Sequence, residues 1–97
     1  MATYVILVNF TQKGIENVKE SPKRLEDVKR AFDSMGAKLK AFYLVVGRYD
    51  VVMVAESPSD EITAKLALSI ASKGNVRTET LRAFNEEEYR SIINALP

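Results

Sequence analysis

Two apolar runs, Ala41-Phe42-Tyr43-Leu44-Val45-Val46 and Val51-Val52-Met53-Val54-Ala55, are held apart by Gly47-Arg48-Tyr49-Asp50. β-Branched and aromatic residues dominate both runs, and a short polar break containing Gly reads as a turn between strands. The pattern predicts a β-hairpin over Lys38–Val46 and Asp50–Glu56. A two-stranded hairpin is marginal in water on its own, so the rest of the chain must cover it. At 97 residues the chain is expected to form one domain, residues 1–97. A domain of that size buries about two-thirds of its unfolded surface without help from disulfides or metal.

The flanking sequence supplies the cover. Thr3–Phe10 reads as a first strand, ended by Thr11-Gln12-Lys13-Gly14, after which Ile15 and Val18 suggest a short helical turn. Ser21-Pro22 is a helix-start signal, with Ser as N-cap and Pro at the first helical position. Leu25, Val28, Phe32 and Met35 then recur at helical spacing as an apolar stripe, and Gly36 closes the helix. Ser57-Pro58-Ser59-Asp60 repeats the start signal ahead of Ile62, Leu66 and Ile70, with Ala64, Ala67 and Ala71 allowing close approach to a sheet. Asn75–Phe84 reads as a fourth strand. Asn85 caps a last helix whose Glu86, Glu87 and Glu88 suit the positive end of the helix dipole and whose apolar stripe is Tyr89, Ile92, Ile93 and Leu96. The order is β-α-β-β-α-β plus a helix, an α+β ferredoxin-like fold with a four-stranded antiparallel sheet, its first and third strands central.

A sheet with helices on one face should alternate apolar and polar residues. These strands do not. Tyr4/Ile6/Val8/Phe10 and Val5/Leu7 are both apolar, as are Phe42/Leu44/Val46 and Tyr43/Val45, and Val51/Met53/Ala55 and Val52/Val54. A bare apolar face of that extent marks an interaction surface, and the simplest cover is the same face of a second copy. A homodimer with sheets face to face, a dimeric α+β barrel, is the expectation.

Composition narrows the function classes. The 14 basic and 13 acidic residues leave a formal charge of +1, too little to neutralise a phosphate backbone, so nucleic acid is not an expected partner. Cys and His are both absent. That removes thiol nucleophiles, the commonest general base and the usual transition-metal ligands, so no metal and no cofactor is expected. Tyr4–Val8 is too short for a signal peptide or a membrane span and reads as a core strand of a cytoplasmic protein.

Several stretches together are familiar. Asn9-Phe10-Thr11-Gln12-Lys13-Gly14, Ser21-Pro22-Lys23-Arg24, Gly47-Arg48-Tyr49-Asp50-Val51-Val52 and Asn75–Phe84, with Gly74 before it, resemble the GYD-domain family over nearly the whole chain. Arg48 stands between the Gly and the Tyr of the motif. The resemblance implies the dimeric α+β barrel and no particular activity. A looser similarity, Gly-x-Tyr-Asp followed by a helix and Gly-x-Val, links the chain to the effector-binding domains of leucine-responsive bacterial regulators. Those are dimeric modules that bind amino acids between subunits. The chain has no room for their DNA-binding helices, so a stand-alone module is expected.

The candidate ligand-binding residues are Tyr43, Tyr49, Asp50 and Arg82, two hydroxyls, an anion and a cation around an apolar floor. Such a set suits a small amino acid or carboxylate. Asp50 has a structural alternative, accepting hydrogen bonds from the hairpin's own N–H groups while Gly47 supplies a positive φ. Thr78, Thr80 and Arg82 share one face of the fourth strand, opposite Arg77, Glu79 and Leu81, and either set serves equally as pocket lining or inter-subunit ion pair. Lys13 is a weaker candidate for meeting an anion. The sequence contains no nucleophile–base pair and no phosphate loop. It therefore supports a homo-oligomeric module that binds a small metabolite or assists assembly. The alternative is a small cofactor-independent enzyme using Asp50, Tyr49 or Tyr43, and Arg82.

Overall fold

A computed structural model describes residues 1–97. Its elements are β1 (Ala2–Phe10), α1 (Gln12–Glu16), a 3₁₀ turn (Val18–Glu20), α2 (Ser21–Ser34), β2 (Lys38–Leu44), β3 (Val51–Ser57), α3 (Asp60–Ser72), β4 (Val76–Ala83) and α4 (Glu86–Asn94). The strands form one antiparallel sheet in the order β2-β3-β1-β4. This is the ferredoxin-like α+β arrangement, with β1 and β3 central as expected.

Register assigns every strand residue to a face. Ile6 lies opposite Met53 and Thr80, and Val8 opposite Val51 and Thr78. Tyr4, Ile6, Val8, Val51, Met53 and Ala55 are buried beneath the helices, where Phe32 of α2 and Leu66 of α3 complete the core. The opposite parity, Val5, Leu7, Val52 and Val54, faces the other way and is only half-buried.

Local chemistry explains the helix ends. Ser59 accepts a hydrogen bond from Ile62 N (3.2 Å) as the N-cap of α3. Asn85 and Glu88 form a reciprocal capping box on α4, with N···O distances of 2.8 and 2.9 Å. Ser21 departs from expectation. Its backbone is already helical and Glu20 precedes α2 without a side-chain cap, because the 3₁₀ turn runs directly into the helix. Pro22 still fits, since the first-turn N–H groups have no helical acceptor. In α3 the buried small residue is Thr63, its hydroxyl donating to Ser59 O (3.1 Å), whereas Ala64 faces solvent.

The chain is spread out for its length. Only 12 of 97 residues are buried. Its radius of gyration is 14.6 Å, against about 12.5 Å for a compact domain of this size. Two features account for the excess. No other element packs extensively against α4, whose Tyr89, Ile92, Ile93 and Leu96 remain 45–62% exposed. The second sheet face has no helix layer over it.

Candidate functional site

The hairpin tip and the uncovered sheet face form the candidate site. Val45 N donates to Asp50 O (2.9 Å), closing the loop between β2 and β3. Gly47 turns the chain at φ +153°, and no atom lies within 4 Å of where a Cβ would sit, so conformation rather than crowding calls for Gly.

Asp50 is bound on both sides. Its N–H donates to Val8 O (2.9 Å), and its carboxylate Oδ2 accepts from Phe10 N (2.9 Å). The acceptor role expected for Asp50 is therefore present, but its donor belongs to β1 and not to the hairpin. The backbone ladder between β1 and β3 ends at Val8↔Val51. Past that point the loop diverges from β1, and the Asp50 carboxylate takes the place of the missing strand carbonyl.

Tyr49 reaches across the end of β1 to β4, where its hydroxyl donates to Glu79 Oε1 (2.9 Å). The hydrogen bond to Glu79 holds the phenol pKa above its ordinary value, with burial adding to the effect. Glu79 lies opposite Leu7, Leu7 opposite Val52, and Val52 opposite Tyr43. Tyr43 and Glu79 thus end one row across the uncovered face, about 14 Å apart at three strand spacings. The next row is Ala41, Val54, Val5 and Leu81. Tyr43 is 61% exposed and its hydroxyl has no partner within the chain.

Arg82 lies elsewhere. It is opposite Tyr4, on the helix side of the sheet and towards the other end of β4. Its guanidinium stacks over Phe84 (4.4 Å) and Tyr4 (5.7 Å) and donates to the carbonyls of Thr3 (3.4 Å) and Ala83. Within one chain, Tyr43, Tyr49 and Asp50 gather at the hairpin end, and the sheet separates Arg82 from them. Lys13 is also otherwise engaged. Its ammonium donates to Lys73 O (2.9 Å) at the C-terminal end of α3, a favourable place for a cation.

Two polar pairs were not among the sequence candidates. The sequence marks Glu79 only as pocket lining or an inter-subunit ion pair on the face shared with Arg77 and Leu81, and nothing in it pairs Glu79 with Tyr49. Tyr4 donates to the carboxylate of Asp60 beneath the helices, and that hydrogen bond, with burial, raises the Tyr4 pKa. The helix-start position of Asp60 signalled a cap, but nothing in the sequence paired it with a tyrosine 56 residues earlier. The three consecutive glutamates are accounted for locally. Glu88 completes the capping box, Glu86 pairs with Arg90 (2.7 Å) and Glu87 faces solvent.

Comparison with known proteins places this architecture. The chain is 34% identical over 84 residues to the glutamine synthetase and cystathionine beta-lyase binding protein of Thermus thermophilus, covering 86% of this chain and 88% of that protein. Among solved structures, TTHA0845 from Thermus thermophilus superposes with a TM-score of 0.56 at 25% identity, over 88% of this chain and 95% of that one. A feast or famine regulatory protein from M. tuberculosis, solved with L-methionine, superposes with a TM-score of 0.67 at 19% identity. That likeness covers 88% of this chain but only 51% of the regulator, so the chain spans about half its length, and it speaks for the fold. The GYD domain model matches residues 4–93, and the chain belongs to the GYD domain family.

Proposed function

We propose that this protein is a binding module that pairs with a second copy through its uncovered sheet face and, so assembled, docks on a metabolic enzyme. The observation that carries the reading is the apolar face itself, with Val5, Leu7, Val52, Val54 and Leu81 on three adjacent strands. In projection these five residues cover roughly 160 Å² by strand spacing and rise, within a four-stranded face of about 500 Å². A stable interface buries about 800 Å² per partner. The exposed stripe of α4 supplies further apolar surface toward that requirement. No helix of the chain is long and apolar enough to cross a membrane. A cytoplasmic setting belongs to the proposal, supported by the use of the apolar Tyr4–Val8 run as a central strand.

The enzyme-docking half is supported by the 34% identical relative, named for binding glutamine synthetase and cystathionine β-lyase. Its test is direct. The purified chain is passed over immobilised glutamine synthetase and, separately, cystathionine β-lyase. Saturable binding to either supports the reading, and binding to neither refutes it.

A second reading, a small amino acid or carboxylate held at the same face, is favoured by the free hydroxyl of Tyr43 beside an apolar floor. Tyr49 and Asp50 lie with it at the hairpin end, and Arg82 is on the other face of the sheet. A thermal-shift screen of amino acids and short carboxylic acids, repeated on Tyr49→Phe and Arg82→Ala, tests this version. A flat screen removes it. The enzyme alternative draws on the same residues, but Asp50 is bound to β1 and Arg82 lies on the opposite face. The geometry supports binding better than catalysis.

A further inference from the structure

The helix layer has a gap. α2 packs chiefly on β2 and α3 chiefly on β4, with less contact between the two helices themselves. Between them lies a cavity of about 110 Å³, on the face of the sheet opposite the site described above. Its floor is Val8, Phe10, Phe42 and Met53, and Val28 and Ile70 line its helical walls. Phe42 points to the helix side, opposite buried Met53, yet it is still 37% exposed. The cavity therefore leaves apolar surface open to water that a ligand would cover.

The charges around it are unbalanced. Arg24 on α2 and Lys73 at the end of α3 both line the cavity, and neither has a carboxylate within ion-pair distance. Arg24 is held in place by donating to the carbonyls of Asn17 (2.9 Å) and Gly14 (3.5 Å), which leaves its charge uncompensated. Asp27 is the sole acid in the lining, and it is paired with Arg30. An apolar chamber with two unpaired cations selects an anion with an apolar tail.

Size and charge then restrict the ligand. A cavity of roughly 150 Å³ accepts benzene, so about 110 Å³ accommodates a branched aliphatic tail of four or five carbons. A zwitterion would bring its ammonium beside Arg24 and Lys73, at a Coulombic cost. We propose that the cavity between α2 and α3 binds a small monocarboxylate with a branched aliphatic tail, the tail on Val8, Phe42 and Met53 and the carboxylate between Arg24 and Lys73. The site is independent of the sheet-face pairing, and either stands if the other fails.

The test is a methyl NMR titration of the intact protein with 4-methylpentanoate, its neutral amide 4-methylpentanamide, and leucine. Saturable shifts are expected at the methyls of Val8, Val28, Met53 and Ile70. The carboxylate should bind about fivefold tighter than either comparator, the scale of one partly exposed ion pair. Lys73→Glu, on the surface, should weaken the carboxylate by at least about that factor and leave the amide unchanged. Ala31→Leu, which fills the cavity, should abolish binding of all three while the sheet resonances stay in place. Shifts confined to Val5, Leu7, Val52 and Val54, no saturable shift at millimolar concentrations, or an unaltered affinity in Lys73→Glu would each overturn the proposal.

Discussion

Replacing Asp50 by Ala removes one hydrogen bond and leaves its neighbours intact. The bonds from Val45 N to Asp50 O and from Asp50 N to Val8 O are both backbone and survive the substitution. What is lost is the carboxylate acceptor for Phe10 N, at 2.9 Å. A hydrogen bond to a charged group contributes about 1.5–3 kcal/mol. Phe10 and Asp50 are half-buried, so water satisfies part of the freed donor, and a cost of about 1–2 kcal/mol is expected. For a chain this short each kcal/mol lowers the melting temperature by about 4–8 °C, giving a drop of roughly 5–15 °C. Asp50→Asn keeps an oxygen for Phe10 and loses only the charge assistance, so it should fall by less than half as much. The assay is thermal unfolding by circular dichroism at one fixed chain concentration, because association itself raises the midpoint. Amide exchange supplies a local readout, with Phe10 N–H exchanging faster in the Ala variant than in the parent. Both variants melting within about 2 °C of the parent, with Phe10 exchange unchanged, would refute the anchoring role.

Other expectations follow from the same contacts. A Cβ on Gly14 would stand 1.9 Å from Asn75 O, so Gly14→Ala must move backbone and should cost about 1–3 kcal/mol in denaturant titration. The raised pKa of Tyr4 means that the folded state holds its phenolic proton more tightly than the unfolded chain, whose value is near 10.0. Stability from the Asp60 bond is therefore complete below pH 10 and is lost as pH rises through the folded value. The melting temperature of the parent should fall more steeply above pH 10 than that of Tyr4→Phe, and parallel profiles would contradict this. Ile92→Ser with Leu96→Ser should leave the fold intact, since neither side chain is buried, but should weaken self-association measured by sedimentation.

How much of this was legible in the sequence depended on whether the signal was local. Runs of β-branched and aromatic residues, Asn85 as a cap, and the Gly-containing break after Val46 are read from a few neighbouring residues, and the fold follows from them. Ser21 misled because the same Ser-Pro signal serves a helix entered from an extended chain and one continuing a 3₁₀ turn, and only the conformation of Val18–Glu20 distinguishes them. The partners of Asp50, Tyr49 and Tyr4 are 40, 30 and 56 residues away. Each depends on where one strand ends against another, which composition does not encode. Arg82 was placed with the tyrosines because its face was open in the sequence. Parity then decides it once Thr80 is known to oppose Ile6. The cavity had no sequence signal at all, since it is a gap between two helices set by their distance apart.

Burial of the uncovered sheet face against a second copy, as proposed above, would double the mass in solution. Light scattering at micromolar concentration should give at least twice the chain mass of 10.9 kDa. The double variant Val52→Lys/Val54→Lys, on the uncovered face, should give a folded monomer. Val51→Lys/Met53→Lys, beneath the helices, should unfold the chain instead, because both positions are buried. A parent protein that stays at 10.9 kDa and remains soluble would contradict the account.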